Sequence, residues 1–244
     1  MLLEADLHTH TMASGHAFST VKEMVDYAGN KGLKLIAITD HGINMPGGPH
    51  EYYFSQLLGL PCNVNGVDVL KGVEANIIDT NGNLDMPERV LQSLDIVLAG
   101  FHCNTGYEGA SAEDNTRALI AAIQNPYVHI ITHPGNPEFP VDIDAVVQAA
   151  NKAGKALEIN NNSFSLSRPG SSSRCSHLAR IAARTGTLVS INSDAHNCFQ
   201  VGGFSEALEV AINAGIRPQQ ILNTSRKLVH SYTVNLKQKL KKIS

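Results

Sequence analysis

The sequence has no tryptophan, few cysteines, little net charge and no apolar run of the roughly 18 residues that a membrane-spanning helix needs. Its four cysteines form no CxxC pair and no dense framework, which indicates reduced thiols rather than disulfides. A net charge of -3 gives no basic field to collect nucleic acid or anionic membrane. The opening residues, MLLEADLHTH, are too acidic for a signal peptide. We therefore expect a cytoplasmic protein with no membrane partner, for which a nucleic-acid partner is not expected.

Apolar segments alternate with helical patterns almost throughout the 244 residues. The segments that predict seven strands are LLEADLH, LKLIAIT, VDVLKGVE, LDIVLAGFH, YVHIITH, KALEIN and TLVSINSD. Helical patterns lie at 112–124, 143–153, 174–185 and 204–214, and a capping box at 20–23 begins a further helix. Regular alternation of strand and helix predicts an α/β fold with a parallel sheet. No linker or low-complexity segment divides the chain, so we expect one domain over residues 1–244.

Residues that can bind metal or substrate stand at or directly after the end of every predicted strand. In chain order they are His8 and His10, Asp40 and His41, Glu74, His102, His133, Glu158 and Asn160, and Asp194 and His196. An open sheet gathers its site at one switch point, whereas a β/α barrel builds its site from the carboxyl ends of several strands. The distribution therefore favours a barrel of seven strands with its site at their carboxyl ends.

The spacing of the histidines suits metal binding. His8 and His10 are two residues apart, so on a strand both imidazoles face the same side and can converge on one ion. Asp194 and His196 repeat that spacing at the seventh strand. So many ionisable groups at one end of a barrel would be costly to bury without partners, and several divalent metal ions are the simplest partners. Imidazole-rich ligation suits Zn, Mn or Fe.

Other polar positions have two interpretations. Asp40 could orient a histidine ligand instead of binding metal itself. His50 lies in a Gly/Pro-rich loop at 44–54 and either contacts substrate or belongs to a packed lid. Cys103 points away from its neighbour His102 if the segment is extended, so it is not an expected ligand. His129 lies within a predicted strand and is expected to be structural.

The ordered motifs of the chain resemble those of a known family. They are DLHTHTMASGH, ITDH, GVEAN, GFH, THPGNP, LEINNNS and NSDAH. Together they are similar to the successive motifs of the PHP (polymerase and histidinol phosphatase) superfamily, and most to its small free-standing phosphatases of the YcdX type. The similarity runs from about residue 5 to about residue 230.

The resemblance implies a distorted (β/α)7 barrel with a trinuclear zinc-type centre. It implies one ion on His8, His10, Glu74 and Asp194, a second on Glu74, His102 and His133, and a third on His16, His41 and His196. It also implies a phosphate-binding basic residue after the sixth strand, and Arg168 in SFSLSRPGSSSR matches that position. A trimer is the assembly that the resemblance suggests.

The expected activity is that of a metal-dependent phosphatase acting on a small phosphomonoester. Two ions bridged by Glu74 would lower the pKa of a bound water, and the resulting hydroxide would attack the phosphorus in line. The metals and Arg168 would neutralise the equatorial oxygens. Catalysis is therefore expected to depend on Glu74, Asp194 and Arg168.

Three other functions compete with a phosphatase. The same metals could cut a phosphodiester, as in an exonuclease. An amidohydrolase also has HxH after its first strand, but it needs a bridging lysine at a strand end, and Lys34, Lys71 and Lys155 all lie earlier in their strands. A non-catalytic barrel stabilised by metal is the third, and the intact set of ligand types argues against it.

Overall fold

Seven parallel strands curl into a nearly closed barrel in the computed structural model, which describes residues 1–165 and 168–240. With one short antiparallel strand, β3, the described strands are β1 (Ala5–Asp6), β2 (Leu35–Ile38), β3 (Asn63–Val64), β4 (Val67–Asn76), β5 (Ile96–Gly100), β6 (Ile130–Ile131), β7 (Ala156–Asn160) and β8 (Val189–Asn192). The order is β1-β2-β4-β5-β6-β7-β8, and β3 pairs antiparallel with β4 outside this path. The expected seven-stranded, distorted barrel is confirmed.

Helices lie between the strands and after the last one. They are α1 (Val21–Asn30), α2 (Glu51–Leu57), α3 (Glu88–Ser93), α4 (Ala112–Gln124), α5 (Ile143–Ala153), α6 (Ser171–Thr185), α7 (Ser205–Asn213) and α8 (Arg226–Leu240). The capping box that begins α1 is present, because Thr20 Oγ1 accepts from the Glu23 backbone and Glu23 accepts from the Thr20 backbone. The predicted bounds of α4 and α5 match those observed. Among the described residues, no helix is long and apolar enough to cross a membrane.

Two sequence expectations about local structure need correction. The loop expected at 44–54 ends at His50, because Glu51 begins α2 and the His50 ring accepts a hydrogen bond from the Tyr52 backbone. The first and fifth predicted strands are also shorter than expected, with two paired residues each in β1 and β6. The flanking apolar residues lie outside the ladders, so an apolar pattern overstates the length of pairing.

Alternate residues of each strand face the interior of the barrel. In β2, Leu35 and Ala37 pack in an apolar cluster inside the barrel, whereas Ile36 and Ile38 pack against α1. Val229 of α8 joins the inner cluster and closes the amino end of the barrel. Apolar side chains therefore fill the half of the barrel interior that lies toward the amino ends of the strands.

The inward positions become polar toward the carboxyl ends of the strands. In β7, Ala156 belongs to the apolar cluster, and Glu158 and Asn160 follow it on the same face. All three are buried. In β4 the same change occurs between Leu70 and Glu74. The fold thus gathers ionisable side chains in one half of a barrel whose other half excludes water.

The seam between β1 and β8 is closed mainly by side chains. An isolated bridge between Thr9 and Ala195 is the ladder contact there. Asp6 accepts hydrogen bonds from the backbone and hydroxyl of Ser193. Asn223 donates to a carbonyl of β1 at 3.1 Å and to a carbonyl of β8 at 2.7 Å. The two edges of the sheet are therefore joined by an asparagine and a carboxylate.

Candidate metal centre

The nine expected metal ligands come together at the carboxyl end of the barrel. They stand on or just after six strands of the barrel, so barrel closure brings the separate groups together. The residues are His8, His10, His16, His41, Glu74, His102, His133, Asp194 and His196. Most are buried, and His16 and His196 are the more accessible members.

One carboxylate oxygen of Glu74 faces the first group of ligands. Glu74 Oε2 lies 3.1 Å from His8 Nε2 and 3.4 Å from His10 Nε2. Asp194 Oδ1 lies 3.5 Å and 3.2 Å from the same two nitrogens. These four side chains therefore present lone pairs to one small volume, and they are the four that the family resemblance assigns to one ion.

The other oxygen of Glu74 faces the second group. Glu74 Oε1 lies 3.2 Å from His102 Nε2 and 2.9 Å from His133 Nε2. The two imidazole nitrogens are 3.2 Å apart. Glu74 therefore stands between two sets of ligands, with one oxygen directed at each.

A third set of imidazoles lies on the solvent side of the first. The ring of His16 stacks against His41 at 5.1 Å and against His196 at 4.9 Å between centroids. His41 Nδ1 also lies 3.0 Å from Glu74 Oε2. His10, His41 and His196 can share one ion by distance, and so can His41, Glu74 and His102. His41 therefore stands between the sets, and the distribution of ligands among ions stays a prediction.

The protonation states of this cluster suit metal binding. Burial lowers the pKa of His41 to about 3 and, with the help of Arg168, that of His133 to about 4. Burial alone would raise the pKa of Glu74 and Asp194, but the surrounding imidazoles outweigh it and hold both well below their ordinary values. Burial would lower the pKa of His8, but Glu74, Glu158 and Asp194 outweigh it and raise that pKa, so a metal ion would displace a proton there. Neutral His41 and His133 and ionised Glu74 and Asp194 leave their lone pairs free, which is the state that metal ions require.

Some of the atoms that would bind metal lack a hydrogen-bond partner among the described residues. His8 Nε2 and His10 Nε2 face each other at 3.0 Å. Glu74 Oε2 and His41 Nδ1 are buried and make no hydrogen bond of normal geometry. Buried polar atoms without partners are costly. Divalent cations would satisfy them, and nitrogen with carboxylate oxygen is a donor set of zinc and similar transition metals. The residues fit the metal centre that the resemblance implies.

Glu158 contacts the imidazole of His8 and was expected as a polar strand-end residue, but not among the nine metal ligands. Its Oε1 lies 2.7 Å from His8 Nδ1, and its Oε2 accepts from the His133 backbone at 2.8 Å. Such a carboxylate sets the tautomer, so that Nε2 of His8 carries the free lone pair. The signal in the sequence was its place at the carboxyl end of the sixth predicted strand.

We expect Glu158→Gln to weaken metal binding by roughly 10- to 100-fold, the usual effect of losing a carboxylate that orients a metal-bound histidine. The amide can present its N–H₂ to His8 and select the wrong tautomer. Metal titration of the variant, with Glu138→Gln as a control at an exposed site, would check this. Unchanged affinity in Glu158→Gln would contradict the orienting role.

Asp40 lies where a carboxylate could orient a histidine ligand, and its contact with that histidine runs through a serine. Its Oδ1 accepts from Ser14 Oγ at 2.7 Å, and Ser14 Oγ lies 3.1 Å from His10 Nδ1. Its Oδ2 accepts from Tyr53, which carries α2 to the edge of the site. Asp40 therefore contacts the His10 imidazole through Ser14, on the side away from the other ligands, and does not belong to the ligand cluster.

Arg168 reaches the cluster from the loop after β7. Its Nη1 lies 2.9 Å from Asp194 Oδ2, and its side chain is 16% exposed. Asn160 donates to the same oxygen at 3.1 Å. Because Asp194 Oδ1 faces His8 and His10, one carboxylate separates the guanidinium from the first group of ligands. A positive charge thus borders the ligand set.

Several polar residues singled out in the sequence stay outside the cluster. His129 is buried at the amino end, where its Nδ1 accepts from the Val97 backbone, which confirms a structural role. His50 caps α2. Cys103 donates toward Glu138 at 3.1 Å. None of the three belongs to a ligand group among the described residues.

A model of the PHP domain family matches residues 6–162. The chain belongs to the PHP domain family. Curated relatives of this PHP protein match it over nearly its whole length. One, named a probable phosphatase, comes from Caldanaerobacter subterraneus subsp. tengcongensis and is 51% identical over 99% of this chain and 94% of its own. Another probable phosphatase, from Thermoanaerobacter sp., is 50% identical over 100% of this chain and 98% of its own.

Solved structures share the fold of this PHP protein. The histidinol phosphate phosphatase of Lactococcus lactis subsp. lactis, crystallised with zinc, L-histidinol and phosphate, superposes with a TM-score of 0.63. It is 16% identical, and the match covers 89% of this chain and 95% of that one. At this identity the comparison confirms the barrel architecture of the PHP protein.

Proposed function

We propose that this PHP-family protein is a metal-dependent phosphatase that hydrolyses a small phosphomonoester. The observation that carries the proposal is Glu74, whose two oxygens face separate groups of imidazoles while Arg168 borders the same cluster. The shared name of the relatives supports the reaction class. The zinc, alcohol and phosphate in the Lactococcus structure support a small phosphorylated substrate.

The proposed ligand sets are those that the family resemblance implied. His8, His10, Glu74 and Asp194 would hold one ion, and Glu74, His102 and His133 a second. His16, His41 and His196 would hold a third, which His41 could share with Glu74 because it lies between the two sets. We favour zinc, with manganese and iron as alternatives. When bound, such ions supply Lewis acidity, which activates water and offsets the charge of a phosphate ester.

The protein's own groups determine where a phosphate can lie. The centre meets solvent on the side of His16, His196 and His102, since the remaining ligands are buried more deeply. Arg168 offers a planar fork of N–H donors next to Asp194, and such a fork matches two phosphate oxygens at once. We therefore assign to Arg168 the binding of the phosphoryl oxygens and the stabilisation of their charge in the transition state.

A phosphatase screen over purified protein of measured metal content would test the proposed function. The panel should include sugar phosphates, nucleotides, amino-alcohol phosphates and short oligonucleotides. Release of phosphate from monoesters, with little cleavage of oligonucleotides, is the expected result. Preferred cleavage of oligonucleotides would replace the phosphatase by a phosphodiesterase, and metal-loaded protein without turnover would replace it by a metal-stabilised module. The cytoplasmic location, the trimer and the single-domain organisation stay predictions.

We expect Arg168→Ala to lower kcat/KM for phosphomonoesters by roughly 100-fold while metal content stays unchanged, because it removes a charge-assisted contact to the transition state. Arg168→Lys should recover only part of the loss, since an ammonium lacks the bidentate fork. Arg174→Ala is a matched control, because Arg174 donates to the Val141 carbonyl away from the cluster. Wild-type kinetics in Arg168→Ala would move the phosphate site elsewhere.

A further inference from the structure

A buried carboxylate that binds no proposed metal lies in the hairpin after β4. Asp85 is 6% exposed. Its Oδ1 accepts from the Asn76 backbone at 2.9 Å, and its Oδ2 accepts from the Asn76 side chain at 2.6 Å and from the Asn44 backbone at 2.9 Å. Both partners belong to segments that carry proposed ligands, since Asn76 follows Glu74 by two residues and Asn44 follows His41 by three.

The same hydrogen bonds continue to a third ligand segment. Asn44 donates from its side chain to the Thr105 carbonyl at 2.8 Å. Thr105 donates from its hydroxyl to the His102 carbonyl, also at 2.8 Å. The chain of contacts from Asp85 therefore reaches the segments of His41, Glu74 and His102, which are three side chains close enough to share an ion.

Close packing shows that the position of this carboxylate is constrained. A Cβ on Gly42 would lie 2.2 Å from Asp85 Oδ1, so only glycine fits between His41 and the hairpin. The Gly42 backbone itself donates to the Glu74 carbonyl at 2.8 Å. The carboxyl ends of β2 and β4 therefore lie close together next to Asp85. His41 and Glu74 belong to the two segments that this backbone hydrogen bond joins.

We propose that Asp85 is a positioning residue that holds His41, Glu74 and His102 at the separation needed to bind one metal ion. This inference rests on the proposed metal-dependent function. Asp85 acts on the backbone at the point where sheet pairing ends, because the β4–β5 ladder stops at Asn76 and Gly100 and a single bridge joins His41 to Glu74. It sets the spacing of the three segments just beyond these last pairs. Without this charge the barrel would still fold, but the three ligand side chains would lie at the wrong distances from one another.

A second carboxylate in the same hairpin provides the comparison. Asp79 accepts from the backbones of Asn81 and Asn83 at 2.8 Å and 3.1 Å and from the Asn83 side chain at 2.7 Å. These contacts stay within the turn, and none reaches a ligand segment. Asp79→Asn therefore removes a similar number of hydrogen bonds from the same hairpin without changing the spacing of the proposed site.

The test is an equilibrium metal titration of wild type, Asp85→Asn and Asp79→Asn, each stripped of metal and titrated with zinc against a chelator of known affinity. We expect Asp85→Asn to bind one equivalent roughly 10- to 100-fold more weakly, as for other groups that orient metal ligands, with the remaining equivalents unchanged. Asp79→Asn should bind as wild type. Cobalt substitution should show a loss of intensity at one site in Asp85→Asn alone.

Kinetics separate positioning from general support of the fold. In limiting zinc, Asp85→Asn should lose kcat with little change in KM, because Arg168 lies at the Asp194 end of the cluster, and excess zinc should restore activity. If Asp85→Asn cannot be purified folded, Asn44→Ala replaces it, because it keeps the backbone bond to Asp85 and cuts only the link to Thr105.

The outcomes distinguish this inference from the function on which it rests. Wild-type protein that binds no zinc would remove the proposed function itself. Wild-type protein that binds zinc, with a variant that binds every equivalent equally well, would overturn the role of Asp85 alone, even if the variant melts at a lower temperature. Weaker binding of one zinc equivalent by the Asp85 or Asn44 variant, and not by Asp79→Asn, would support the positioning role of Asp85.

Discussion

Glu74→Gln is expected to lower phosphatase activity by several orders of magnitude. An amide has the shape of the carboxylate but not the charge that offsets the repulsion between two cations. In this structure each oxygen of Glu74 faces its own group of imidazoles, so an amide nitrogen would point its hydrogens at one group of lone pairs. The variant should therefore lose or weaken at least one ion of the pair that Glu74 bridges, and activity should fall with it.

Zinc titration of Glu74→Gln, followed by both metal content and activity, would measure this effect. The third ion, on His16, His41 and His196, should remain. Glu158→Gln is the graded comparison, since it should cost far less while altering a buried carboxylate of the same site. A merely structural Glu74 would give a less stable protein with full metal content, and normal turnover with full metal content would rule out the bridge.

Removal of metal is expected to abolish activity and to lower the melting temperature by roughly 10 °C. A ligand that binds only the folded state at about 1,000 times its Kd stabilises that state by about 4 kcal/mol. For a chain of 244 residues, each kcal/mol corresponds to roughly 2–4 °C. Purified protein should carry between two and three equivalents of transition metal, because the ligands fall into three adjoining groups.

Elemental analysis and thermal unfolding, before and after chelation, would check this expectation. Restoring zinc should restore both properties, and magnesium should restore neither because imidazoles are poor ligands for it. Active protein with a single equivalent would contradict the trinuclear centre. An unchanged melting temperature after complete removal would show that the cluster tolerates its buried, unpartnered lone pairs.

Barrel architecture and ligand types were predictable because both repeat along the chain. A polar residue stands at or just after the end of each predicted strand, and only closure of the sheet could bring all of those residues to one site. Local patterns also predicted the bounds of α4 and α5, because their caps and their apolar spacing indicate the same residues. The short α2 and α3 gave too few turns for such a pattern.

The residues behind the ligands were harder to predict because their role depends on tertiary contact. Asp85 resembles any acidic residue of a turn, and only the approach of Asn44 from another segment makes it distinctive. Glu158 stood at a strand end, but nothing in the sequence showed that it faces His8. The sharing of His41 between ligand groups likewise follows from distances that no spacing rule supplies.

The sparsely paired seam between β1 and β8 gives the proposed first ion a mechanical meaning. His8 and His10 follow one edge of the sheet, and Asp194 follows the other. Among the described strands, β1 and β8 are the neighbours in the barrel that lack a continuous ladder, and an ion held by all three side chains would link them. Metal binding and closure of the barrel would then be coupled. Without metal, β1 and β8 would separate first, and local unfolding would begin at this seam.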